Sequence, residues 1–214
     1  MNVIQTLAIS ALPVIFAITL HEAAHGYAAR HFGDPTAWQM GRISLNPLRH
    51  VDLVGTLLVP ALILLVSSGG LLFGWAKPVP VNFGNLRHPK RDMIWVAGAG
   101  PLANFVMALG WAFLLGATGP SGSWASDGAY VMADAGVRIN LALLALNLLP
   151  IPPLDGGRIA VGVLPHRAAL LLSRLEPYGF FVILALIAIP GALWTVLGPI
   201  YRVFAFLLFA LTGV

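Results

Sequence analysis

The sequence predicts an all-α polytopic membrane protein with about six transmembrane helices and a small re-entrant extended or β segment. Hydrophobic residues make up 58% of the 214 residues, only 9% are charged, and the mean hydropathy is +0.87. Ordinary soluble domains contain roughly 25% charged residues, so a soluble globular domain is excluded. The length suits about six helices of roughly 20 residues and leaves no room for a second domain. We therefore expect residues 1–214 to form a single transmembrane domain.

Apolar runs give the order of the elements. The first run, 3–31, has neither the basic start nor the cleavage site of a signal peptide, so we expect a retained helix. A polar stretch rich in turn formers follows it. Segment 74–85 alternates proline with valine, which excludes a helix and predicts extended chain. The other runs are typical of membrane helices and comprise residues 53–73, 93–118, 128–149, 168–189 and 192–213.

Charge and cysteine content limit the possible chemistry. The net charge of +4 comes from 12 Lys and Arg against 8 Asp and Glu, and no basic run is interleaved with aromatic residues. In a membrane protein this excess indicates basic cytoplasmic loops, and we expect no nucleic-acid partner. The chain has no cysteine, so a bound metal would need histidine and carboxylate ligands.

The first apolar run contains the sequence HEAAH. His21 and His25 are four residues apart, so they share one helix face and can both bind one ion. Glu22 lies beside them and can take a proton from an attacking water. Each ionisable side chain deep in an apolar helix costs on the order of 2.5–3.5 kcal/mol or more. This cost favours a functional cluster over an intramembrane polar cluster that is merely hydrogen-bonded.

Two histidines leave a zinc site short of a protein ligand. Asp155 is the best candidate, because the preceding Pro-Pro imposes an extended entry and the following Gly-Gly allows a sharp turn. A simple helix N-cap is the equally weighted alternative for Asp155. Two other acids are weaker candidates. Glu176 precedes a proline at a helix break, and Asp134 has an arginine four residues on with which it can pair.

Two asparagines of the apolar runs are candidate functional residues. Asn147 is eight residues before Asp155 and could donate a hydrogen bond to a developing oxyanion. Hydrogen bonding between helices is the alternative for Asn147. Asn104, in the sequence GAGPLANF, allows the same two interpretations.

HEAAH, GAGPLANF and NLLPIPPLDGG, in this order within apolar runs, resemble the site-2 protease family of intramembrane zinc metalloproteases. The strings HEAAHGYAARHFGDPTA, GRISLNP and GWAKPVPVN resemble its short prokaryotic branch, for which we expect neither a PDZ-like nor a CBS-like domain. The resemblance implies a multi-pass protein of the prokaryotic plasma membrane. It also implies cleavage of transmembrane or membrane-tethered substrates.

The same resemblance implies the roles of individual residues. One Zn²⁺ per chain would be held by His21, His25 and Asp155. Glu22 would be the catalytic acid and base, and Asn147 would handle the substrate carbonyl.

A single metal site also constrains the topology. The first helix must end, the third must begin and the fourth must end on one side of the membrane, so residues 32–91 must leave that side and return to it. Either 74–85 or 37–46 would then dip into the membrane as re-entrant chain. Ten basic residues fall on that side, which predicts that it is cytoplasmic and that the active site faces it: Arg30, Arg42, Arg49, Lys77, Arg87, Lys90, Arg91, Arg158, Arg167 and Arg174.

Two other functions use the same residues. A zinc or proton transporter could place histidine and aspartate along an ion pathway, although the sequence shows no repeated halves. A catalytically silent membrane scaffold could keep the fold, although the intact HExxH motif and Asp155 favour an enzyme.

Overall fold

The computed structural model describes residues 3–58, 77–119 and 124–214. Those residues contain no β-strand and form eight α-helices. The helices are numbered here in chain order: α1 (Val3–His31), α2 (Thr36–Gln39), α3 (Pro89–Thr118), α4 (Trp124–Asn147), α5 (Asp155–Val163), α6 (His166–Ser173), α7 (Glu176–Ala188) and α8 (Ala192–Thr212). Short turns of 3₁₀ or π-helix lie between α2 and α3, at Pro47–Arg49, Leu53–Leu58 and Phe83–Asn85.

Four of the described helical stretches are long and apolar enough to cross a membrane. Helices α6 and α7 meet at a 62° bend and make a fifth if the pair counts as one span. These stretches match five of the six predicted runs. The remaining run, 53–73, lies mostly outside the described residues, so six spans are not confirmed. The four spans are Ala8–His31, Pro89–Thr118, Gly128–Asn147 and Ala192–Thr212.

Helix α3 lies at the centre of the structure and packs against α1, α4 and α5. One face of α3 is buried and carries mostly small side chains, which let neighbouring helix backbones approach closely; it includes Ala97, Gly100, Asn104, Ala108 and Ala112. The opposite face exposes a stripe of large apolar side chains, namely Trp95, Leu102, Val106 and Phe113. Such a stripe on a helix of membrane-spanning length is the surface expected to face lipid.

The ends of several elements meet on one side of the bundle. Arg87 N donates to Phe32 O at 3.0 Å, which joins the end of α1 to the entry into α3. Lys77 N donates to His50 O at 2.8 Å, so residues 50 and 77 lie side by side. Both contacts agree with the predicted return of residues 32–91 to the side on which they began.

Residues 77–82 are neither helical nor part of a strand, so the β part of the predicted segment is not confirmed. The buried side chain of Asp34, just after α1, connects residues 77–82 to the end of that helix through hydrogen bonds. Its carboxylate accepts hydrogen bonds from Asn82 N at 2.7 Å, Asn85 Nδ2 at 3.0 Å and Thr36 N at 3.0 Å. Burial opposes ionisation, but the hydrogen bonds from Thr36, Asn85 and Asn82 outweigh it and lower the pKa of Asp34.

Candidate metal centre

Helix α1 presents its histidine pair to the interior of the bundle. His21 is 7% exposed and His25 is 9% exposed, whereas Glu22 is half-buried. The four-residue spacing places the two imidazoles one helical turn apart, with ring centroids 4.7 Å from each other.

Each imidazole is held through its Nδ1 atom. His25 Nδ1 lies 2.8 Å from Val96 O, and His21 Nδ1 lies 2.6 Å from Asn104 Oδ1. Both oxygens can only accept, so both Nδ1 atoms carry the proton and donate. The two Nε2 atoms are left with their lone pairs and face each other at 3.1 Å.

Asp155 joins this pair from the start of α5. Its Oδ2 atom lies 3.2 Å from His21 Nε2 and 3.3 Å from His25 Nε2. The cap residue of α5 is Leu154, and no side chain caps this helix end. Asp155 is the first residue inside the helix, so the geometry excludes the N-cap alternative and leaves its carboxylate directed at the histidines.

The glycines after Asp155 act differently from the sequence-based prediction. Gly156 and Gly157 lie within α5 and do not adopt positive φ, so they do not make the sharp turn. A Cβ on Gly156 would lie 2.3 Å from Leu148 O, and one on Gly157 would lie 2.3 Å from Pro152 N. They are small because α5 starts in close contact with the backbone that follows α4.

The two weaker ligand candidates pair elsewhere. Glu176 Oε1 lies 3.4 Å from Arg158 Nη2 at an exposed position. Asp134 Oδ2 lies 2.9 Å from Arg138 Nε, four residues along α4, as its sequence predicts. The structure therefore groups only Asp155, among these three acids, with the histidines.

The three converging atoms fit a divalent cation. Two imidazole lone pairs and a carboxylate oxygen repel one another unless a positive charge lies between them. Asp155 Oδ2 is buried and has no hydrogen-bond partner. Ligand atoms of a tetrahedral zinc ion are about 3.3–3.6 Å apart, close to the 3.1–3.3 Å separations of His21, His25 and Asp155.

Helix α3 supplies both the supports and the space for this centre. Val96, Gly100 and Asn104 recur every four residues and so lie along one helix face. The backbone carbonyl of Val96 holds the imidazole of His25, and the side chain of Asn104 holds that of His21. A Cβ on Gly100 would lie 2.5 Å from His25 Nε2 and 2.6 Å from His21 Nε2. Only glycine leaves the region in front of both nitrogens open.

Glu22 and Asn147 line the same cavity as the three converging residues, and its volume is about 200 Å³. Glu22 Oε2 accepts a hydrogen bond from Val79 N at 2.7 Å. Asn147 Nδ2 donates to Leu143 O within its own helix at 3.0 Å. A larger groove of about 560 Å³ beside Leu148 has no titratable side chain in its lining. The smaller cavity, which Glu22 and Asn147 line, is therefore the candidate reaction site.

Three features of the site were not predicted from the sequence. Asn104 contacts His21 of α1, which agrees with the interpretation of hydrogen bonding between helices, but the partner itself was not predicted. Asn140, a buried residue of α4, contacts Asn104 and was not considered. Val79 contacts Glu22 across the bundle. The four-residue spacing of Asn104 from Gly100, on a face with few large side chains, was the available signal for a close approach to α3 at this point.

Comparisons with known proteins agree with this chemistry. The family described as "Peptidase family M50" matches residues 117–190. A protein of Bacillus subtilis (strain 168), named "Putative zinc metalloprotease YwhC", is 38% identical over 183 residues, which cover 84% of this chain and 80% of the relative. A Mycolicibacterium smegmatis protein, named "Putative zinc metalloprotease Rip2", is 31% identical over 83% of this chain and 65% of its own length.

A Mycobacterium tuberculosis (strain H37Rv) protein, also named "Putative zinc metalloprotease Rip2", is 28% identical over 89% of this chain and 70% of its own length. No solved structure matches the chain. The extent of the match to the Bacillus relative, the family match and the apolar helices agree with one assignment: the chain is a membrane protein that belongs to peptidase family M50, the site-2 protease family of zinc metalloproteases.

Proposed function

We propose that this zinc metalloprotease hydrolyses peptide bonds in or near transmembrane segments of membrane-protein substrates. The carrying observation is the convergence of His21 Nε2, His25 Nε2 and the unpartnered Asp155 Oδ2 within helices of membrane-spanning length. In this proposal these three residues hold the zinc ion. A bound zinc ion polarises the scissile carbonyl and lowers the pKa of water.

Glu22 is the proposed general base and acid. Its Oε2 atom accepts the hydrogen bond from Val79 N, which fixes the carboxylate at the edge of the cavity. The other oxygen, Oε1, can then take a proton from the attacking water and deliver it to the leaving amine nitrogen.

Asn147 is proposed to assist at the substrate carbonyl. A side-chain amide carries two N–H groups, and Asn147 uses one of them toward Leu143 O. The second can donate to the carbonyl oxygen as negative charge develops there. The position of Asn147 in the cavity wall supports this role.

A substrate helix must unwind before hydrolysis, because its amides are otherwise hydrogen-bonded internally. Residues 77–82 border the cavity, but Pro78 and Pro80 have no N–H. The N–H groups of Val79 and Asn82 already donate to carboxylates of the protein itself. We therefore propose that this segment lines the site and aligns Glu22, and that it does not offer a continuous strand edge.

We also propose that the site opens toward the cytoplasmic side of the plasma membrane. A hydrogen bond joins the end of α1 to the entry into α3, and ten of the twelve basic residues lie in or near the sequence segments assigned to that end of the bundle. An excess of basic residues is typical of cytoplasmic loops, which supports this orientation. The cysteine-free chain suits labelling of single introduced cysteines. Arg167→Cys should react with a membrane-impermeant thiol reagent from the cytoplasmic side only.

The test compares two glutamates in the purified, zinc-loaded, full-length protein in proteoliposomes with a single-span substrate. Glu22→Gln should lower the hydrolysis rate by about 10²–10⁴-fold without lowering the zinc content. Glu176→Gln is the matched control, because Glu176 is exposed and does not line the cavity. The amide oxygen of the glutamine can still accept the hydrogen bond from Arg158, so this variant should keep wild-type hydrolysis.

Unchanged hydrolysis by Glu22→Gln would remove Glu22 from the reaction. Zinc flux across the liposome membrane without any hydrolysis would support a transporter instead. A purified protein that holds no zinc would support a scaffold.

A further inference from the structure

We propose that Asn104 and Asn140 form an amide relay that keeps the proton of His21 on Nδ1 and so leaves Nε2 free to bind metal. The inference rests on the proposed function, because it assigns His21 as a metal ligand. Both asparagines are positioning residues. Neither lines the cavity, and each is 0% exposed, so neither can touch a substrate.

The polarity of the relay follows from two backbone carbonyls. Asn140 Nδ2 lies 2.8 Å from Gly136 O, which can only accept, so the Oδ1 atom of Asn140 points the other way. That Oδ1 lies 3.0 Å from Asn104 Nδ2, which also lies 3.3 Å from Ala17 O. Both partners of Asn104 Nδ2 are therefore acceptors, and the orientation of the Asn104 amide is fixed.

The fixed amide determines the tautomer of His21. Asn104 Oδ1 faces His21 Nδ1 at 2.6 Å and accepts its proton. If the Asn104 amide were reversed, its NH₂ group would face Nδ1 and the imidazole proton would move to Nε2. A proton on Nε2 would occupy the side that faces His25 Nε2 and Asp155 Oδ2 and would block metal binding there.

The two histidines depend on different kinds of support. His25 donates to the backbone carbonyl of Val96, which no side-chain substitution removes. His21 depends on two side chains from two helices, Asn104 of α3 and Asn140 of α4. Through this relay, the tautomer of His21 that can bind metal depends on the packing of α1, α3 and α4.

Zinc affinity, measured by chelator competition on the purified full-length protein, tests the relay. Asn104→Leu should weaken zinc binding about 10–100-fold, the range for loss of a partner that supports a metal-bound histidine. Asn140→Leu should weaken it about tenfold. Asn140→Asp, as the neutral acid, keeps an oxygen facing Asn104 and an O–H that can donate to Gly136 O, so it should bind zinc more tightly than Asn140→Leu does. Thr19→Val is the control, because it removes a buried hydroxyl of α1 outside the relay.

Two further measurements separate a relay from a general loss of packing. If Asn140 acts through Asn104, the double variant Asn104→Leu/Asn140→Leu should bind zinc as the Asn104→Leu variant does, and not more weakly. In the metal-free protein, ¹⁵N chemical shifts of labelled histidine should show His21 protonated on Nδ1. Asn140→Leu should shift that population toward Nε2.

Wild-type zinc affinity in Asn140→Leu, or additive losses in the double variant, would overturn the relay. If Asn104→Leu does not fold, the comparison of Asn140→Leu with Asn140→Asp carries the test. None of these measurements needs a substrate, so a failure of the relay is distinguishable from a failure of the proposed proteolysis.

Discussion

Replacing Gly100 by alanine tests whether the space in front of the histidine pair is a metal site. The substitution adds one methyl group to α3. Alanine favours a helix over glycine by about 1 kcal/mol, so the change is favourable for the helix itself. The effect on metal binding should have the opposite sign.

The size of that effect follows from the distances. The new Cβ would lie 2.5 Å from His25 Nε2 and 2.6 Å from His21 Nε2, whereas real Cβ contacts essentially never fall below 3.0 Å. Each imidazole must therefore retreat by about 0.4–0.5 Å, and metal–ligand distances tolerate only about 0.2 Å. We expect zinc affinity to fall at least 100-fold, which corresponds to about 2.7 kcal/mol.

The assay is chelator competition for zinc, together with thermal unfolding of the metal-free protein in detergent. Gly98→Ala is the matched control, because Gly98 lies on the same helix and a Cβ there would meet no neighbouring element within 4 Å. Gly98→Ala should bind zinc as the wild type does. Gly100→Ala should stay folded without metal, because the added methyl meets two side chains and not backbone. Wild-type zinc affinity in a folded Gly100→Ala protein would refute the assignment of this site.

Three other predictions concern stability. Folding lowers the pKa of Asp34, so the ionised side chain stabilises the folded protein above pH 3.8, its ordinary pKa, and this stabilisation is lost as the pH falls through the lower pKa of the folded state. Acid unfolding should therefore depend less on pH in Asp34→Asn. Asp134→Leu should lower Tm by leaving Arg138 unpaired in a helix of membrane-spanning length, and Asp134→Leu/Arg138→Leu should recover it. Gly179→Ala should lower the free energy of unfolding by about 1–3 kcal/mol or more, because its Cβ would overlap Pro152 O; an unchanged denaturation midpoint would contradict this packing.

Sequence-based prediction was most successful where the relation was local. The four-residue spacing of His21 and His25 fixes their common face in any α-helix. The apolar runs gave five of the helical stretches, although a 62° bend at the start of α7 divides one of them. The prediction for the glycines after Asp155 was wrong, because their role depends on which backbone lies opposite them.

The sequence by itself determined the membrane setting, the histidine pair and, through its motifs, the family. Composition and helical periodicity contain these properties, and they do not depend on how helices are arranged. Only the tertiary structure decided that Asp155 meets the histidines, that Asn104 holds His21 and that Val79 holds Glu22. These pairs lie on different elements, and contacts between elements depend on helix packing, which small apolar residues permit in more than one arrangement.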